Sequence, residues 1–238
     1  MGMDDDLDYM EDVIEEWYPD PTLIPSLKEQ SPINLVASEA QKEFDTDPLV
    51  FDGHWHLNPK IAMIRNSGST AEIGEPSNKV KHPVLHGGFL KGNFVFSQAH
   101  FHWGETSDVG SEHTINGIRY SLEVHLVHHH SKYKTIKEAR GHENGILVVA
   151  FLFKVVPRVR RHNLRLIHLI THHLEQIEEN YEPHHAEPNI LMVLEEIAAI
   201  GEYFYYIGSL TTEPFSENVQ WLVFSPWYPI TESEVSVI

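Results

Sequence analysis

Phe94-Val-Phe-Ser-Gln-Ala-His-Phe-His-Trp103 carries the strongest structural signal in the sequence. It is rich in aromatic residues and alternates with period two, which is the signature of a strand and not of a helix. The alternation puts Phe94, Phe96, Gln98, His100 and His102 on one face, and Val95, Ala99, Phe101 and Trp103 on the other. Two imidazoles thus point the same way, two residues apart. A second run, residues 121–128, sets Ser121, Glu123, His125 and Val127 against the apolar face Leu122, Val124 and Leu126. If the two strands are neighbours, His100, His102 and His125 converge as three neutral nitrogen ligands, with a fourth tetrahedral position left for water. Gln98 and Glu123 each stand two residues before a ligand on the same face, where they can orient its other ring nitrogen.

Further β-rich runs lie at residues 80–84, 120–128, 146–155 and 219–224, with turn residues between several of them. Helical periodicity follows at residues 163–179 and again at 190–200, as helices lying against a sheet. From Ser31 onward no composition break or repeat marks a second domain, so residues 30–238 read as one domain. Residues 1–29 read as an acidic arm, a helix-like piece at 8–17 leading into Pro19, Pro21 and Pro25.

Composition narrows the chemistry. Against 17 basic residues stand 35 acidic ones, a net charge of −18 that repels phosphate backbones and anionic membrane surfaces. Neither nucleic acid nor a membrane is expected as a partner. With no cysteine among 238 residues, a transition metal must be held by nitrogen or oxygen, and 18 histidines make nitrogen the obvious donor. The first residues lack the basic start and apolar run of a signal peptide, no stretch reaches membrane-spanning length, and Asp6 stands where a myristoylation motif wants Ser or Thr. The expected location is cytoplasmic. A helical His-Glu-x-x-His protease site is excluded, because His142-Glu143 is followed by Asn144, Gly145 and Ile146. The remaining histidine groups, at 128–130, 172–173 and 184–185, are expected on surfaces or in loops.

Gln98-Ala-His-Phe-His-Trp-Gly104, Gly110-Ser-Glu-His-Thr114 and Glu123-Val-His-Leu-Val-His128 together resemble the α-carbonic anhydrase family. Gln30-Ser-Pro-Ile33, Gly208-Ser-Leu-Thr-Thr212 and Val219-Gln-Trp221 extend the similarity, in order, over residues 30 to 235. The resemblance implies a mainly β (α+β) fold, a single domain with a large twisted, mostly antiparallel central sheet and surface helices. It implies Zn2+ on His100, His102 and His125, and reversible hydration of carbon dioxide to bicarbonate and a proton by zinc-bound hydroxide. It also implies that Thr211 accepts the hydroxide proton and passes its own hydrogen to Glu112, with Thr212 on the same polar side. Val127, Val148, Leu210, Val219 and Trp221 would form the dry wall for the substrate. Sulfonamides are expected to inhibit, and a monomer is expected.

Three positions depart from the family pattern. Where its most active members carry a proton-shuttling histidine, Asn66-Ser-Gly-Ser69 places Ser69, which cannot titrate near neutral pH. Hydration limited by proton transfer and rescued by imidazole buffer is expected, with His54 or His56 as the carrier if rescue fails. Ile207 replaces a proline before Gly208, a change expected to be tolerated. The sequence ends at Ile238, short of the segment with which the resembling proteins continue, so the domain reads as lacking that piece. The alternative reading is a weak or inactive carbonic anhydrase-related binding protein.

Overall fold

The computed structural model describes residues 29–42, 47–57, 62–74, 81–158, 184–186 and 191–232. Its strands are β1 (Asn34–Leu35), β2 (Leu49–Asp52), β3 (Met63–Asn66), β4 (Ala71–Gly74), β5 (Val84–Gly87), β6 (Phe94–Trp103), β7 (Thr114–Ile115), β8 (Ile118–Arg119), β9 (Leu122–His130), β10 (Ile146–Val155), β11 (His184–His185), β12 (Tyr203–Ser209) and β13 (Glu217–Ile230). Two short helices are described, α1 (Ile136–Ala139) and α2 (Val193–Ala198). Ten of the strands form one sheet in the order β11-β3-β4-β6-β9-β10-β13-β12, with β5 also on β6 and β2 on β5. Every pairing in it is antiparallel except β10 with β13. A small separate ribbon, β1-β7-β8, lies beside it.

The central strands are buried on both faces, which is why residues 146–155 read as a continuous apolar run instead of an alternating one. One face packs Phe94, Phe96, Ala99 and Phe101 of β6 against Leu122, Val124 and Leu126 of β9, Phe151 and Phe153 of β10, and Phe224 of β13. The other face packs Val127, Val148, Ala150, Leu152, Val219, Trp221 and Val223. A fully buried aromatic or aliphatic side chain stabilises by roughly 1.5–3 kcal/mol, so the two apolar layers fix the frame on which polar groups are then displayed.

The alternation expected for β6 is corrected in its first half. The β6–β9 register shifts between Phe96 and Gln98, an irregularity of the kind a β-bulge makes, and the extra residue reverses the phase of the strand. Phe94 and Phe96 therefore belong to the same buried layer as Ala99 and Phe101, opposite the face that carries Gln98, His100 and His102. Strands β6 and β10 keep the boundaries expected from sequence, while the run expected at 219–224 extends over Glu217–Ile230. Of the expected helices, the one at 190–200 is α2, packed on the sheet through Leu194 and Ile197. The helix at 163–179 and the acidic arm before Glu29 lie outside the described residues.

Candidate metal centre

Strand register brings the three histidines together. His100 of β6 lies directly opposite His125 of β9, and His102 lies opposite Glu123. The ring centroids are 4.9 Å apart for His100 and His102, 5.0 Å for His100 and His125, and 4.6 Å for His102 and His125. One ligand atom from each falls within 4.8 Å of the others.

Hydrogen bonds decide which nitrogens are bare. His100 Nδ1 donates to Gln98 Oε1 at 2.9 Å, leaving Nε2 as a lone pair. His125 Nε2 donates to Glu123 Oε1 at 2.6 Å, leaving Nδ1 as a lone pair. These two bare nitrogens face each other at 3.2 Å, close to the roughly 3.3 Å that two Zn–N bonds of 2.0–2.1 Å subtend at a tetrahedral angle. His102 Nδ1 is 3.4 Å from Glu112 Oε1, and His102 Nε2 is buried with no hydrogen-bond partner. Lone pairs that converge with no proton between them repel one another unless a cation is shared, so the donor set fits zinc. Burial, reinforced by His125, brings His102 down to about 3, and the same causes hold His100 well below its ordinary value. Both imidazoles are thus neutral, as ligands must be.

Behind His125 runs a buried chain of hydrogen bonds. Glu123 Oε1 also accepts from His113 Nδ1 at 2.6 Å, and Glu123 Oε2 accepts from the backbone N–H groups of Glu112 and His113. Burial pushes the Glu123 carboxyl upward, but His113 and His125 outweigh it and hold it well below the usual carboxylate range. With its Nδ1 proton committed to Glu123, His113 Nε2 accepts from Tyr206 Oη at 2.7 Å, which in turn meets Ser31 Oγ at 2.8 Å. Ser31 and Ser209 exchange two further bonds, tying the segment Gln30-Ser-Pro-Ile33 to the end of β12. Sequence reasoning held His113 only as part of the run Gly110-Ser-Glu-His-Thr114 and gave it and Tyr206 no role, because nothing local marks a contact across 93 residues of chain.

Gln98, His100, His125, Thr211 and Thr212 line one cleft of about 290 Å³ together with Val127, Val148, Leu210 and Trp221. Val219 is fully buried in the same apolar layer but is not among the residues lining the cleft. Glu112 sits beside the histidines with Oε2 buried and 3.9 Å from His125 Nε2. Burial raises its pKa, while His125 and a hydrogen bond from Thr211 pull the other way. Arg65, Glu72, Ile136 and Arg140 complete the lining and were not anticipated. Ser69 is exposed in the β3–β4 turn.

The expectation that the neighbouring histidines lie on surfaces is overturned for His128 and His129, which are buried within β9. His128 Nε2 meets His54 Nε2 at 2.8 Å inside a ring of aromatic side chains that includes Phe96, so His54 belongs to the apolar layer. His185, on edge strand β11, is exposed, and 172–173 lie outside the described residues.

An open three-nitrogen pocket on a curled mixed sheet is the donor arrangement of a catalytic zinc site, not of a closed structural one. The chain belongs to the eukaryotic-type carbonic anhydrase family, whose model matches residues 14–238. That is a family of zinc-dependent enzymes of carbon dioxide hydration. Carbonic anhydrase 1 of Oryctolagus cuniculus is 33% identical over 199 residues, covering 82% of this chain and 78% of the relative. Carbonic anhydrase 1 of Mus musculus is 34% identical over 201 residues, covering 82% and 70%. Carbonic anhydrase 6 of Bos taurus is 32% identical over 209 residues, covering 87% and 62%. Among the described residues no helix is long and apolar enough to cross a membrane.

Proposed function

We propose that residues 30–238 form a catalytic domain that hydrates carbon dioxide reversibly to bicarbonate and a proton, with zinc held by His100 Nε2, His102 Nε2 and His125 Nδ1. The observation that carries this reading is the convergence of three bare imidazole nitrogens, two of them at 3.2 Å, with His100 and His125 lining the cleft and His102 beside them. Zinc bound there would lower the pKa of a coordinated water to about 7 and so supply a nucleophile near neutral pH.

The chain's own residues do the rest. Gln98 and Glu123 fix the tautomers of His100 and His125, so that the correct nitrogen of each faces the metal. Glu112 accepts a hydrogen bond from the hydroxyl of Thr211. Thr211 Oγ can then only accept, and it turns the lone pair of the nucleophile toward the substrate. Val127, Val148, Leu210 and Trp221 offer an apolar wall suited to carbon dioxide, a small molecule without a dipole, and they exclude competing water. Thr212 borders the same space, and Val219 supports the wall from behind. Ser69 cannot carry the product proton away, so turnover at low buffer is limited by proton transfer, and imidazole buffer raises it. Sulfonamides inhibit, and the protein works as a cytoplasmic monomer.

Stopped-flow hydration of carbon dioxide by purified protein of measured zinc content, repeated on His125→Ala, tests this. One zinc per chain with activity, and loss of both in the variant, supports it. A folded, metal-free and inactive wild type would mean a binding protein instead.

A further inference from the structure

The cleft has an uneven rim. On the β3–β4 side Arg65 Nη2 is paired with Glu72 Oε1 at 2.7 Å, so its charge is matched. At the end of α1, Arg140 also lines the cleft, and this exposed residue's side chain makes no ion pair or hydrogen bond among the described residues. It is not an isolated cation. Residues 132–140 carry Lys132, Lys134, Lys137 and Arg140 against the single acid Glu138, in a chain whose net charge is −18. Glu138 accepts the backbone N–H of Lys134 at 3.0 Å and forms no ion pair with Arg140. Ile136, Val127 and Val148 line the same cleft and give it apolar surface beside Arg140 and the imidazoles.

We infer that this rim is an anion subsite, with Arg140 reading the acidic end of small organic ligands whose apolar body lies on Ile136 and Val127 and whose other end reaches the histidine triad. The ligand class is a short arene or alkyl chain bearing a carboxylate or sulfonate. A guanidinium binds such a group through two parallel N–H donors, and a local cluster of cations in an acidic chain favours anions at this point of the cleft. The inference rests on the triad as the anchoring point of the proposed function.

The test is calorimetric binding of two probes to the zinc-loaded full-length chain, 4-carboxybenzenesulfonamide and its neutral carboxamide isostere. The quantity read is the ratio of the two dissociation constants, compared between wild type and Arg140→Gln, which cancels the intrinsic difference between the probes. An exposed charge contact of up to about 1 kcal/mol corresponds to a fall of up to about fivefold in the preference for the carboxylate. In the unaltered chain the same preference shrinks as sodium chloride is raised, because an exposed contact is screened. Equal ratios in wild type and variant, with both probes bound, overturn the subsite alone. Failure of both probes to bind the wild type overturns the anchoring role of the triad and the subsite with it.

Discussion

Four donors meet on the Glu123 carboxylate: the rings of His125 and His113 on Oε1, and the backbone N–H groups of Glu112 and His113 on Oε2. An isosteric amide offers only one acceptor oxygen, so Glu123→Gln must turn its NH2 toward donors on one side or the other. The expected outcome is a 10- to 100-fold loss of zinc affinity, measured by competition with a chromophoric chelator, with about 2–4 kcal/mol lost in urea unfolding. Unchanged affinity would mean that Glu123 does not set the His125 tautomer. A second residue-scale effect lies on the opposite face. Burial brings His128 down to about 3, and it pushes His54 well below its ordinary value too. The folded state therefore prefers neutral rings. The stability this represents is complete above the unfolded pKa near 6.5 and is lost as pH falls toward the folded value, at about 1.4 kcal/mol per pH unit for each ring. Between pH 7 and 5 His128 alone removes about 2 kcal/mol. His128→Gln, whose amide oxygen can still accept from His54, should show a correspondingly shallower fall in urea midpoint over that range.

The segment between β6 and β9 delivers Glu112 and His113 to the site, and its geometry depends on Gly110. A Cβ there would run into the Ser121 carbonyl oxygen, so the loop would have to move. Gly110→Ala is expected to cost about 1–3 kcal/mol and to lower zinc occupancy, since the same loop supplies three of the four donors to Glu123. Full occupancy in a purified Gly110→Ala protein would show that the loop adapts without disturbing the ligands. The triad itself was legible in sequence because His100 and His102 both follow the register shift in β6, where alternation is undisturbed. The phase of Phe94 and Phe96 was not, because the irregularity arises from pairing with β9 and Ser97 suits either face equally well. Nor were Arg65, Glu72 and Arg140, whose place on the rim follows from how β3, β4 and α1 sit around the sheet and not from any local pattern. His128 misled for a related reason: a run of three histidines reads as polar, yet its position on the apolar face of β9 makes it part of the core.

At the scale of the molecule, the ligands stand on strands that need no metal to be held in place. β6 and β9 pair from Phe94 opposite His130 to Trp103 opposite Leu122, and the reverse face of both strands is packed in one continuous apolar layer. A zinc finger too small for a core folds only on its metal, whereas here the core supplies the frame and the metal adds to it. Removing zinc should therefore leave a folded protein of lower melting temperature. Two features cap the loss: His100 and His102 are neutral without metal, and their bare nitrogens are relieved of mutual repulsion by small ring movements or entering water. Zinc at 100 times its dissociation constant should restore about 2.7 kcal/mol. The measurement is far-ultraviolet circular dichroism and calorimetric melting after dialysis against dipicolinate, then with zinc returned. An unchanged spectrum with a lowered, zinc-reversible melting temperature is expected; a chelated protein that has lost its strand signal would show that the metal organises the sheet and is not merely received by it.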